Sequence, residues 1–156
     1  MVALKIKRTY VAKPRELDPS WHLFDAKEGP LGRMATEIAK ILQGKHRAMY
    51  TATLNTGDYV VVINASKVKV TGKKVNQKKY YFHSQHPGGL RTFTLEQMLA
   101  RNPKRVVELA VRGMLPRTTL GRQMLKRLKV YPGETHPHQA QISSDQTESS
   151  KNDLAV

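Results

Sequence analysis

No cysteine occurs in the 156-residue chain, which rules out disulfides, thiolate zinc ribbons and thiol catalysis. No apolar run comes near the ~18 residues of a membrane-spanning helix. The basic segment Met1–Arg8 has no apolar core of the kind found in secretory signals, so a cytoplasm-like compartment is expected, with an organelle as the alternative. Paired carboxylates are missing too: Asp25, Asp58, Glu96 and Glu108 lie scattered, without the pairing that acid–base work requires. There is no glycine-rich loop ending in a Walker lysine and no G-x-G-x-x-G. Ser66 and Ser84 lack a nucleophile-elbow context. His83 and His86 have H-x-x-H spacing but no acid or cysteine nearby, so no metal is expected there. The expectation is a protein with no catalytic residues, cofactor, metal or small-molecule substrate.

Acidic side chains are also scarce, at 12 against 27 Lys and Arg. Residues 134–156 hold four of those acids and one lysine, so residues 1–133 carry 26 basic against 8 acidic side chains. Such a body repels itself and calls for a polyanion. A membrane-surface protein would gather its cations on one amphipathic helix with exposed aromatics. Here they run along the whole chain, and Trp21 falls in a strand-like run.

The stretch Val111–Tyr131 is cationic and contains no acid. It reads as the end of one helix, a tight turn and a short second helix. Gly113 is placed at the helix stop, in left-handed geometry. Pro116 keeps Leu115 extended, and Thr118 or Thr119 caps the next helix. Leu120, Met124 and Leu128 then share one side, with Arg122, Lys126 and Lys129 opposite. A solvated surface helix would intersperse both signs; this one suits nucleic acid.

Residues 1–20 read as a basic extended arm and 21–133 as one α/β domain. Residues 134–141 read as extended and 142–156 as a disordered polar and acidic tail. Trp21–Asp25 is strand-like. A helix with Pro30 near its first position then runs through Leu31, Ile38 and Leu42 to Gly44. Lys45, His46 and Arg47 follow it, either complementing the helix dipole or contacting phosphate. Asp58–Ile63 reads as a strand covered on both faces, giving a βαβ unit and a partly parallel sheet. Lys67–Thr71 alternates as a half-exposed strand. Lys73–Lys79 reads as a lysine loop leading to Tyr80–His83 and the His86–Gly89 turn. Lysines interleaved with aromatics suit RNA stacking, while a hairpin with core tyrosines explains them equally well, and better for Tyr81 and Phe82 than for Tyr80. Gly88–Gly89 permits close approach of a strand or a phosphate. Thr94–Gln97 is a capping box, and Asn102-Pro103 opens a further helix. Two other functions compete: an RNA-processing enzyme with His83 or His46 as base, and a general nucleic-acid binder that compacts DNA.

The segments Asn64–Gly72, Gly44-Lys-His46, Asn55–Asp58, Val111–Pro116, Leu120-Gly-Arg122, Leu128–Tyr131 and His136-Pro-His138 closely resemble the bacterial and organellar ribosomal protein L-thirteen family. The similarity spans roughly residues 10–141. It implies an α/β fold, a three-layer α/β/α domain around a four-stranded mixed sheet with basic extensions, and no catalysis. It also implies a structural constituent of the large subunit that binds 23S-type rRNA early in assembly and clamps its segments together. Neighbours would include the large-subunit proteins L-three, L-twenty and L-twenty-one. The RNA-facing candidates are Arg33, Lys40, Lys45, His46 and Arg47; then Lys73, Lys74, Lys78, Lys79, Tyr80 and His83; then Pro87, Gly88 and Gly89. The last group is Arg112, Gly113, Met114, Leu115, Pro116, Arg117, Gly121, Arg122, Lys126, Arg127 and Lys129. His22-Leu-Phe after Trp21 and Pro132 before Gly133 depart from the family pattern, and the last fifteen residues are an addition to it.

Overall fold

A computed structural model describes residues 12–143. Its centre is a βαβ unit: β1 (Trp21–Asp25), α1 (Leu31–Gln43) and β2 (Tyr59–Ile63). The strands pair in parallel with Trp21 opposite Tyr59, as the helical crossover requires. Along α1, Leu31, Met34, Ala35, Ile38, Ala39 and Leu42 are buried. Pro30 precedes the helix as its N-cap and offers no side-chain cap. That costs about 1 kcal/mol, little beside roughly 2 kcal/mol for burying each of Ile38 and Leu42. Gly44 ends the helix at φ 79°, the left-handed geometry expected of glycine.

The sheet differs from expectation. It holds three strands in the order β1-β2-β5, β5 being Leu128–Val130, parallel to β2. A separate antiparallel pair is formed by β3 (Lys79–His83) and β4 (Leu90–Thr94). Among the described residues there is no four-stranded mixed sheet. Lys67–Thr71, which reads as a half-exposed strand, makes only one bridge among the described residues, Lys69 with Pro30. It leaves a 3-10 turn over Ala65–Lys67, and Val68 and Val70 still pack on the core. Two valines can sustain an alternating burial pattern without a ladder. Nor is Lys73–Lys79 simply a loop, since a short helix α2 occupies Lys74–Gln77.

On one face of β2, Val60 and Val62 join the main core with α1, α3 (Leu95–Arg101), α4 (Pro103–Met114) and α5 (Thr119–Lys126). On the other, Val61 and Ile63 meet Trp21, Tyr131 and Ile142. Residues 139–143 are helical, so 139–141 are not extended, and Ile142, assigned to the tail, is buried. The remainder of the tail and residues 1–11 of the arm lie outside the described residues. No helix among the described residues is long and apolar enough to cross a membrane.

Both expected caps form: Thr94 with Gln97 for α3, and Asn102 accepting from the Arg105 N–H at 3.2 Å for α4. Gly113 does not end α4. The helix runs through it to Met114, and Leu115 (φ −87°, ψ 155°) is extended because Pro116 follows. Thr118 caps α5, accepting from the Gly121 N–H at 3.3 Å. α5 ends at Lys126, so Leu128 and Lys129 belong to β5 and face opposite ways by strand alternation. Gly121 lies against the turn, and a Cβ there would come 1.9 Å from the Pro116 carbonyl oxygen.

Two glycine substitutions should therefore diverge. Gly121→Ala is expected to destabilise the protein by about 2 kcal/mol or more. Gly113→Ala, with nothing within 4 Å of the new Cβ, should stabilise it by about 0.5–1 kcal/mol as a helix-interior site. Denaturant unfolding of both variants checks this, and destabilisation by Gly113→Ala would restore the helix-stop reading.

Candidate nucleic-acid interface

The cations sort into those aimed inward and those left free. The segment after α1 is anchored on Asp58, which is 1% exposed and stands just before β2. Its Oδ1 accepts from the Ser20 N–H at 3.1 Å and is 2.5 Å from Arg47. Its Oδ2 lies 3.0 Å from His22 Nε2 and 2.7 Å from His46 Nε2. Burial is the largest single influence on this carboxyl and pushes its pKa up. The His22 hydrogen bond, the Arg47 charge and the Ser20 N–H together outweigh it and hold the pKa below the usual carboxylate range. Being depressed, the group stabilises the fold at neutral pH, and that contribution is lost as pH falls below the ordinary carboxylate range. His46 and Arg47 are thus tied to Asp58, although His46, like Lys45 before it, is exposed. Arg127 likewise turns inward, donating to the Gly57 carbonyl and lying 5.3 Å over the Tyr59 ring.

The turn between α4 and α5 gathers the largest set of expected residues. Arg112, Gly113, Leu115, Pro116, Arg117, Gly121 and Arg122 line one groove of about 540 Å3. Its frame is rigid: Leu115 is buried, and the Gln43 side-chain amide donates to the Met114 carbonyl at 3.2 Å, tying α1 to the end of α4. On the other side of Gly113 a second groove, of about 660 Å3, carries Lys74, Lys78 and Met114 over an apolar floor that includes Leu31 and Leu95. The two grooves share Leu109 and Gly113. The lysine segment and the arginine turn, distant in sequence, therefore flank one ridge. Lys126 is exposed on α5, and Lys129 is half-buried on β5. Arg33 and Lys40 are exposed along α1, and Lys73 and Lys79 are exposed at the ends of the lysine segment.

In β3 Phe82 packs on the core as expected, but the two tyrosines are exchanged. Tyr80 and Phe82 face the core, while Tyr81 is 64% exposed. Lys78 sits 5.3 Å over the Tyr80 ring. His83 faces outward and its Nδ1 accepts from the Gln85 N–H at 3.0 Å. Pro87 and Gly88 are exposed in the turn, and Gly89 is half-buried against Ser84. Sequence reasoning passed over Tyr81 and a third groove of about 340 Å3, where Arg91, Arg101 and Arg105 surround Phe82 and Phe93. Its only sequence signal is the period-two pattern of both strands, and that pattern does not say which parity faces in. Among the described residues, the ion pairs are those on Asp58 and the Glu108 pairs with Lys104 and Arg105. Arg112, Arg117, Arg122 and Lys126 have none.

A family model described as Ribosomal protein L13 matches residues 19–137. The chain is 54% identical over 136 residues to the large ribosomal subunit protein uL13 of Natranaerobius thermophilus, covering 87% of this chain and 95% of that one. The protein of the same name from Nitrosococcus oceani is 54% identical over 134 residues, covering 86% and 94%. That from Aquifex aeolicus is 55% identical over 134 residues, covering 86% and 93%.

The Tyr80 hydroxyl is buried without a protein partner among the described residues, and burial raises its pKa. Tyr80→Phe should therefore leave stability unchanged or raise it by up to about 1 kcal/mol. A raised phenol stabilises the fold below its ordinary pKa and loses that contribution as pH climbs through the raised value, so the variant should also lose stability less steeply in strong alkali. Chemical denaturation at neutral and alkaline pH checks both; clear destabilisation at neutral pH would mean that the hydroxyl holds something.

Proposed function

The chain belongs to the ribosomal protein L13 family, and on that premise we propose that it is a structural constituent of the large ribosomal subunit. In this reading it binds 23S-type rRNA early in assembly and clamps separate rRNA segments together, in the cytoplasm, beside neighbouring large-subunit proteins. Its relatives are ribosomal proteins, not enzymes. One observation carries the binding claim: Arg112, Arg117 and Arg122 surround a single groove, and none of them has a paired carboxylate among the described residues. Unpaired guanidinium groups held in fixed geometry are suited to bidentate phosphate contact.

We assign direct RNA contact to the free cations: Arg33, Lys40, Lys45, Lys73, Lys74, Lys78, Lys79, Arg112, Arg117, Arg122, Lys126 and Lys129. His83 and the Pro87–Gly89 turn join them, and the exposed Tyr81 offers a face on which an unpaired base stacks. His46, Arg47, Tyr80, Leu115, Gly121 and Arg127 act by holding that surface in place. Affinity then comes mainly from phosphates, and selectivity from the shape of folded RNA.

Binding to an rRNA fragment should weaken steeply with salt. Replacing Arg112, Arg117 and Arg122 together by Gln should reduce the slope of log K against log salt by about 2–3, at roughly 0.7–0.9 per lost phosphate contact. The melting temperature should hold, because all three side chains are exposed. Filter-binding titrations across salt, with duplex DNA as competitor, provide the measurement. A flat salt response or equal affinity for duplex DNA would sink the clamp reading, and cleavage of the RNA during incubation would revive the enzymatic one.

A further inference from the structure

The cluster at Asp58 has a feature that a structural ion pair does not need. Its two carboxylate oxygens are divided between different kinds of partner. Oδ1 is taken by the Ser20 N–H and the Arg47 guanidinium, while Oδ2 faces only two imidazole nitrogens, His22 Nε2 and His46 Nε2. Those three atoms lie within 4.8 Å of one another. Two imidazoles crossing at 84°, with ring centroids 6.0 Å apart, aim at one oxygen from different directions. A metal-ligating carboxylate is itself held by outer hydrogen bonds, as Oδ1 of Asp58 is held by Ser20 and Arg47.

We propose that His22, His46 and Asp58 form a binding site for a divalent cation of the zinc class, taken up through two Nε2 atoms and Oδ2. Bonds of about 2.0–2.2 Å put tetrahedral ligand atoms roughly 3.3 Å apart. The nitrogen–oxygen separations of 3.0 and 2.7 Å need to open by about 0.3 and 0.6 Å to reach that spacing. On metal uptake each neutral imidazole carries its remaining proton on Nδ1, for which no acceptor or donor contact is described. The His22 and His46 side chains are 37% and 34% exposed while Asp58 is 1% exposed, so the cation has a way in and one coordination position faces solvent. Nitrogen and oxygen donors without thiolate suit zinc and its neighbours, and magnesium is excluded by its preference for oxygen. The cation would rivet β1, the segment after α1 and the start of β2 together. This inference is independent of the RNA reading, since none of its ligands needs to touch RNA.

The test uses the purified full-length chain titrated with Co2+, whose visible absorption in low-coordinate nitrogen–oxygen sites reports binding directly. One equivalent should give a saturating band that Zn2+ abolishes and excess Mg2+ does not. His22→Gln and His46→Gln should each remove it, and His83→Gln should leave it intact. Circular dichroism confirms that each variant is folded. Should His46→Gln fail to fold, His22→Gln alone decides, because that side chain stands on the edge strand β1. Absence of the band in the parent chain, or its survival in a folded His22→Gln variant, overturns the proposal.

Discussion

The 26 basic side chains of residues 1–133 repel one another, and the fold fastens one of them, Arg47, on a buried carboxylate. Asp58 is the only fully buried acid among the described residues. It draws Ser20, His22, His46 and Arg47 onto the end of the central strand. Inside a protein such an interaction is far stronger than at the surface, and the carboxylate is costly to bury unless all its lone pairs are used. All of them are used here. Because Asp58 directly precedes β2, the charge that gathers the segment after α1 also fixes where the central strand begins. From that strand follow the placement of β1 on one side and β5 on the other, and hence of α5.

Around this anchor the cationic surface is assembled by apolar packing. Val106, Val107 and Val111 seat α4 on α1, and Met124 and Leu128 seat the following elements. None of the groove-lining arginines takes part in that packing. The positive surface is thus separable from the core that presents it, which is what a scaffold requires if its surface is to be neutralised by a partner and not by itself. Crowded like charges carry an energetic penalty in the free protein, which any bound counter-charge would reduce.

Much of the local structure was legible in the sequence. The run from Tyr59 to Ile63, the pattern of α1 up to Gly44, and the caps at Thr94 and Asn102 carry their own signals and behave as expected. What failed to show depends on long-range partners. The period of Tyr80–His83 gives alternation but not which face meets the core. Gly113 and Pro116 are both helix stoppers within four residues, and proline wins because it imposes a conformation where glycine merely permits one. His46 and Arg47 read as phosphate ligands because their acid, Asp58, is eleven residues further on at the nearest and meets them only in the fold. The four-stranded sheet expected from the family resemblance gives way to a parallel trio and a separate antiparallel pair, since Lys69 makes a single bridge.

β5 is three residues long and pairs with β2, Leu128 opposite Val60. Contacts so far apart along the chain form late, after the entropy of closing a long loop has been met. During synthesis the βαβ unit emerges first, ahead of the helices that complete its core, and until β5 follows α5 has no strand behind it to fix its bearing. The arginine groove therefore acquires a definite shape only once β5 is in place. A nascent chain carries its charge long before that charge is held in place, since the bearing of α5 waits on Val130.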